Sequence, residues 1–170
     1  MGDKAPSIRI PPRGTKGSTM PGGKILMKVF KPLMDQQVGR LKRTASQEPP
    51  KMMGFPVVLL TTVGAKTGQE RTHVLGGFED GRDAWLIVAS RGGAPTHPGW
   101  FYNISKNPDQ VWLQVGNRKF RAAVESLQGE ARVKGLAKVA AVSARYGEYQ
   151  KKTDREIPVL RLTPADSTGA

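Results

Sequence analysis

The sequence has no cysteine, which removes thiolate nucleophiles, zinc–thiolate centres, iron–sulfur clusters and disulfides at once. Its only histidines are His73 and His97, too few for a histidine-rich metal site, so no metal is expected. No apolar stretch approaches the roughly 20 residues a spanning helix needs. No apolar run near the N-terminus marks a secretory leader, and the expected location is the cytoplasm. Acidic residues are scarce: 14 Asp/Glu face 27 Lys/Arg, a formal charge of +13. The excess is uneven, since residues 1–55 hold 11 Lys/Arg against 3 Asp/Glu. Such a basic third attracts nucleic acid, acidic lipid headgroups or a polyanionic ligand, and charge alone does not choose among them.

What is present suits one domain. A chain of 170 residues, 38% of them hydrophobic, buries roughly two-thirds of its unfolded surface without covalent staples. Residues 1–23 are rich in Pro and Gly and have no hydrophobic period, which predicts a mobile N-terminal arm. Across residues 24–43, apolar side chains recur every three or four positions with basic residues between them, the pattern of an amphipathic helix interrupted at Pro32. That helix either packs on its own domain or lies on a membrane surface. Residues 24–54 thus read as a basic helix plus linker, 55–164 as the compact domain and 165–170 as a C-terminal tail.

Within the compact part, 56–63, 71–79, 84–90, 111–115, 119–126 and 158–162 read as strands, with a hairpin turn at Gly116-Asn117. Short helices are expected at 100–106 and 130–144, followed by a segment at 146–153. The fold class is therefore mainly β with helices, an antiparallel barrel and not a doubly wound sheet.

Four stretches carry candidate chemistry. In 61–71 a strand enters a Gly-bounded turn bearing Lys66, Thr67 and Arg71, a set suited to cradling a phosphate or to an ordinary solvated hairpin turn. In 88–93 the apolar strand Val88-Ala89 ends at Ser90, Arg91, Gly92 and Gly93, where backbone can approach a ligand closely or form a plain β-turn. In 98–103 three consecutive aromatics, Trp100 to Tyr102, cannot face one way; one or two belong to the core, and the rest, with Asn103, can wall a planar ligand. Tyr146 and Tyr149 share one helix face, either as pocket phenols able to donate a proton or as surface-packed rings.

Taken in order, Thr-Thr-Val-Gly-Ala-Lys-Thr-Gly-Gln-Glu-Arg (61–71), Val-Ala-Ser-Arg-Gly-Gly (88–93), Pro-Gly-Trp-Phe-Tyr-Asn (98–103), Asn-Pro (107–108), Tyr-Gly-Glu-Tyr (146–149) and Arg-Glu-Ile-Pro-Val (155–159) resemble the deazaflavin-dependent nitroreductase family. The likeness spans about residues 57–164. It implies a split β-barrel of the FMN-binding, pyridoxamine-phosphate-oxidase-like type and an oxidoreductase that uses reduced coenzyme F-420. By that resemblance Lys66, Thr67 and Arg71 contact the coenzyme phosphate. Val88, Ala89, Ser90 and Arg91, with Gly92 and Gly93, line the deazaflavin, Trp100 and Asn103 close the site, and Ser90, Tyr146 and Tyr149 serve the acceptor. Gly76 and Lys152 stand where nitroimidazole-reducing relatives carry tyrosines, which implies a wider, more polar acceptor pocket.

The expected acceptor is a small organic electrophile: a quinone, enone, lactone or nitroaromatic. FMN is the alternative cofactor on such a barrel. A basic nucleic-acid-binding module is the alternative class, disfavoured because the aromatics fall away from the densest basic segment. Peripheral membrane contact through 24–43 and a homodimer are further expectations.

Overall fold

A computed structural model describes residues 8–19 and 23–165. The helices are α1 (Gly23–Lys42), α2 (Gly99–Lys106), α3 (Gly129–Val142) and α4 (Ala144–Lys152). The strands are β1 (Lys51–Met52), β2 (Phe55–Val63), β3 (Glu70–Gly76), β4 (Phe78–Glu79), β5 (Trp85–Val88), β6 (Val111–Val115), β7 (Arg118–Ser126) and β8 (Val159–Pro164). A 3-10 turn covers Arg91–Gly93.

Every strand pairing is antiparallel, in the order β1-β2-β6-β7-β8-β5-β4, and β3 also pairs with β2. Because β4 follows β3 after a single residue, the chain itself carries the sheet from β2 round to β5 and rolls it into the expected split barrel. The stretch 71–79 is accordingly two strands and not one, bent at Gly76-Gly77. The corner needs glycine: a Cβ on Gly76 would sit 2.4 Å from the Tyr146 hydroxyl, and one on Gly77 2.4 Å from Val58 Cγ1.

Side-chain alternation sorts the strands' apolar residues into two cores. Val58, Leu60, Ile87, Ala89, Leu113, Leu160 and Leu162 point into the barrel, which α2 plugs with Trp100, Phe101 and Ile104. Phe55, Val57, Leu86, Val88 and Val159 point outward and are covered by Val139 of α3 and Tyr146 of α4. Each such side chain, fully buried, contributes roughly 1.5–3 kcal/mol. Val57 and Val88 are therefore committed to the outer face, where the site forms.

The N-terminal segment departs from the expected mobile arm. Among residues 8–19, Ile8 and Pro11 are buried, Gly14 N–H donates to Pro95 O at 2.9 Å, and Ser18 N–H donates to Gly93 O at 2.9 Å. Asp154 accepts from the Thr15 and Lys16 amides at 2.8 and 3.1 Å. The segment is a strap, held by backbone hydrogen bonds that leave no hydrophobic period in the sequence. Residues 1–7, and the tail from 166 onward, lie outside the described residues.

The 44–54 linker is likewise tied down. Asn117 N–H donates to Ser46 O at 2.7 Å, and the Asn117 side chain donates to Ala45 O at 3.0 Å. α1 continues through Pro32 as one helix. Its C-terminal end is anchored, since Gln114 Nε2 donates to Leu41 O at 3.1 Å and Leu41 packs on the outer core. Nearer its N-terminus Ile25, Val29, Phe30 and Leu33 stay exposed, so the packed reading of this helix holds at its C-terminal end. Among the described residues no helix is long and apolar enough to cross a membrane.

Candidate active site

On the outer face of the barrel, alternation brings Val57, Val74, Gly76, Val88 and Ser90 to one side. Phe55, Tyr146 and Trp100 wall that side, and Met34, Gln37, Met52 and Met53 roof it, around a cavity of about 400 Å³. A longer groove of about 670 Å³ adjoins it between α1 and β3, sharing Met34, Val74, Leu75 and Trp100 and carrying Lys28, Lys31, Lys42 and Arg71 against Asp35 and Glu70, with Lys31 paired to Asp35 at 2.8 Å. An apolar chamber thus opens onto a basic channel.

Polar groups in the chamber are few. Tyr146 is 8% exposed and packs edge-on against Phe55, Phe78 and Tyr149. Burial, reinforced by Tyr149 and opposed by Arg145, pushes its phenol up to about 12, so it remains protonated at neutral pH. Ser90 and Arg91 are the other hydrogen-bonding groups of the wall, with Gln37 above. The resemblance implied a more polar pocket, and the structure corrects this: the walls are chiefly Met, Val, Leu and aromatic rings. Nor is the space at Gly76 free for a tyrosine, because the Tyr146 hydroxyl already occupies it.

The Ser90 loop is held from behind. Arg91 has φ +45, and Gly92 and Gly93 follow at +63 and +83, a run of left-handed residues that favours glycine. Arg155, 2% exposed, donates Nε to Ala94 O at 2.7 Å, and Nη2 to Ala89 O at 3.1 Å and to Ser90 O at 2.8 Å. Its Nη1 lies 3.1 Å from His97 Nδ1, while His97 Nε2 is 2.7 Å from Pro11 O. One neutral tautomer fits both contacts: Nε2–H donates to the carbonyl and Nδ1 accepts from the guanidinium. Burial lowers the His97 pKa, and Arg155 adds to this, against the raising effect of the Pro11 carbonyl.

The Lys66 turn is built differently. Lys66, Thr67 and Arg71 are exposed. Thr67 Oγ1 accepts from Gln69 N–H at 3.3 Å, and Arg71 Nη2 donates to Gln69 Oε1 at 3.2 Å. The turn is pinned by Asn103, whose Oδ1 accepts from Ala65 N–H at 2.9 Å and whose Nδ2 donates to Thr62 Oγ1 at 3.1 Å.

Of the sequence-predicted residues, Val88, Ser90, Arg91, Trp100 and Tyr146 meet around the chamber, and Arg71 reaches the channel. Lys66 and Thr67 sit on the neighbouring turn. Ala89 does not face the chamber; strand alternation turns it into the barrel interior. Gly92 and Gly93 shape the loop and do not line the chamber. Asn103 has both ends of its amide engaged, by the turn and by Thr62, and Tyr149 packs edge-on against Tyr146 at 5.4 Å between ring centroids without lining the chamber. Sequence reasoning missed Arg155 and His97 as supports, although Arg155 lies in one of the quoted motifs; a charged residue inside a run ending in buried Ile157 and Val159 was the available signal. It also missed Met34, Met52 and Met53 as the roof.

Comparison with known proteins identifies the family. A sequence model of the F-420H(2)-dependent quinone reductase family matches residues 33–164. An F-420H(2)-dependent quinone reductase of Mycobacterium tuberculosis is 44% identical over 112 residues, covering 64% of this chain and 73% of that protein. A solved F-420-H2-dependent reductase superposes with TM-score 0.58 at 37% identity, covering 66% of this chain and 98% of the other. A second structure, described as a domain-swapped dimer, gives TM-score 0.60 at 32% identity over 79% of this chain and 98% of the other. The chain belongs to the F-420H(2)-dependent quinone reductase family, and is an F-420-dependent reductase with the split-barrel fold.

Proposed function

We propose that this enzyme reduces a quinone-type acceptor in the chamber under α1, with its coenzyme's acidic portions in the basic channel. The observation that carries the reading is the junction itself: an apolar chamber with a protonated phenol joined to a groove bearing Lys28, Lys31, Lys42 and Arg71. These features fit F-420, whose phosphodiester and glutamate carboxylates need cations and whose ring needs apolar walls. The bound coenzyme supplies hydride donation.

The chain's residues do the rest. Lys66, Thr67 and Arg71 hold the phosphate, with Asn103 fixing their turn. Val88, Ser90, Arg91 and Trp100 wall the ring, and Gly92 and Gly93 give the loop the left-handed turn that sets Ser90 and Arg91 in place. The Ser90 and Tyr146 hydroxyls orient the acceptor, and Tyr146 donates a proton to the oxygen on which charge develops. Tyr149 holds the Tyr146 ring in place. The methionine roof is adaptable, which also suits enones, lactones and nitroaromatics.

Fluorescence titration with F-420 beside FMN, followed by a quinone assay, tests the reading. Selective F-420 binding is expected, with Tyr146→Phe lowering kcat about 100-fold and leaving coenzyme affinity intact. Preference for FMN, or full turnover by the variant, would overturn it. The exposed apolar side of α1 suits contact with a lipid surface that delivers an apolar acceptor, or pairing with a second copy. Liposome flotation and sedimentation separate these two.

A further inference from the structure

Behind the Ser90 loop lies a cation to which the proposed chemistry gives no task. Arg155 is buried, and its guanidinium bonds go to three backbone carbonyls and one imidazole nitrogen, none of them charged. The carboxylates beside it in sequence are engaged elsewhere: Asp154 with the strap amides of Thr15 and Lys16, Glu156 with Arg9 at 3.5 Å and Arg132 at 3.9 Å. A buried cation without a counter-charge is costly to hold. Burial lowers its pKa to about 10, still far above neutrality, so the charge is present.

The geometry of the loop gives that charge a use. Among the described residues no peptide bond is cis, and in a trans peptide the N–H points opposite to the C=O. With the Ala89 and Ser90 carbonyls turned onto Arg155, the amides of Ser90 and Arg91 are turned away from it. Neither amide has a partner among the described residues, and the two residues that bear them line the chamber. A cation on a peptide's carbonyl also strengthens its N–H as a donor. The left-handed Arg91, φ +45, is a strained conformation of the kind that persists only when its surroundings impose it.

We infer that Arg155 is a positioning residue: from behind the loop it aims the Ser90 and Arg91 amides at the electron-rich carbonyl edge of the bound deazaflavin. The coenzyme's negative charge then balances the cation that the protein leaves unpaired. This rests on the F-420 reading above.

The test is a titration of the uniformly 15N-labelled full chain with oxidised F-420, beside binding and kinetics of Arg155→Gln and Arg155→Lys. Wild type should show the Ser90 and Arg91 amide protons moving downfield, among the largest changes in the spectrum. Arg155→Gln should weaken F-420 binding about tenfold and be partly rescued in Arg155→Lys. F-420 binding with those amides unmoved, or a folded Arg155→Gln with wild-type affinity, would overturn the inference alone. If wild type binds no F-420, the functional reading falls and this inference with it. Should Arg155→Gln fail to fold, the wild-type spectrum still decides.

Discussion

The turn from Gly64 to Gln69 and the loop from Ala89 to Ala94 serve the same cleft, yet one is open to solvent and the other is closed from behind. Lys66 to Glu70 are exposed, and beyond the turn's own backbone hydrogen bonds the side chain that pins it is that of Asn103. The Ser90 loop is gripped by Arg155, which His97 holds in turn, and by the strap through Ser18 N–H on Gly93 O. On the proposed reading, the contrast follows from what each has to recognise. A phosphate is met adequately by a long, mobile cation, whereas a rigid ring edge needs donors fixed in advance, and fixing them requires buried hydrogen bonds and a strained backbone.

The sharpest way to break this comparison is a matched pair of glycine substitutions. Gly93→Ala would place a Cβ 2.9 Å from Tyr149 O and 3.0 Å from Lys152 Cβ at φ +83, and should destabilise by about 3 kcal/mol. Gly68→Ala, at φ +68 with nothing within 4 Å, should cost about 1 kcal/mol, the strain alone. Urea unfolding of both variants checks the difference, and equal costs would erase the distinction between a packed loop and an open turn.

Next in size, Lys66→Ala should weaken F-420 binding by about 1.5–3 kcal/mol, the range of a charge-assisted hydrogen bond, with Tm unchanged. A fall in Tm would mean that the turn is structurally coupled after all.

The smallest effect is a pH dependence. The folded-state pKa of His97 is lowered, by burial first, so its contribution to stability is complete above the unfolded value near 6.5 and is lost as pH falls from there toward the folded value. His73 is lowered too, by burial and by Arg71, and acts with the same sign. Urea midpoints at pH 7.5 and 5.5 for His97→Gln and His73→Gln separate them. The larger flattening should come from His97, because it braces the strap.

Much of this was legible in the sequence where local chemistry decides. The Gly116-Asn117 turn and the strand at 111–115 stand where the hairpin pattern predicts them, and the apolar run at 56–63 is β2 within a residue. Sequence reading stopped where distant residues decide. In 71–79 the Gly76-Gly77 pair signals a break but not a corner, because what requires it is Tyr146 and Val58, far along the chain or on another strand. The strap has only Ile8 and Pro11 to bury, so no period betrays it, and its hydrogen bonds are made by backbone groups every residue possesses. Arg155 reads as surface by residue type, since arginine is rarely buried. Asn103 was legible as functional but not as to direction: an amide beside a ligand loop can face the ligand or the loop, and only the fold reveals that it faces the loop.

The strap also bears on the order in which the molecule is made. Lys16 leaves the ribosome 137 residues before Thr153, to which it is hydrogen-bonded, and Ile8 precedes its partner Ser105 by 97. β5 must likewise wait for β8 to complete its pairing. Contacts so far apart in sequence close late, so the hairpins of the early barrel can form while the Ser90 loop is still unbraced. On the proposed reading the coenzyme binds the braced loop, and so stabilises the finished chain over its precursors. Cellular supply of the coenzyme would in this way govern how much of the protein survives as well as how fast it works.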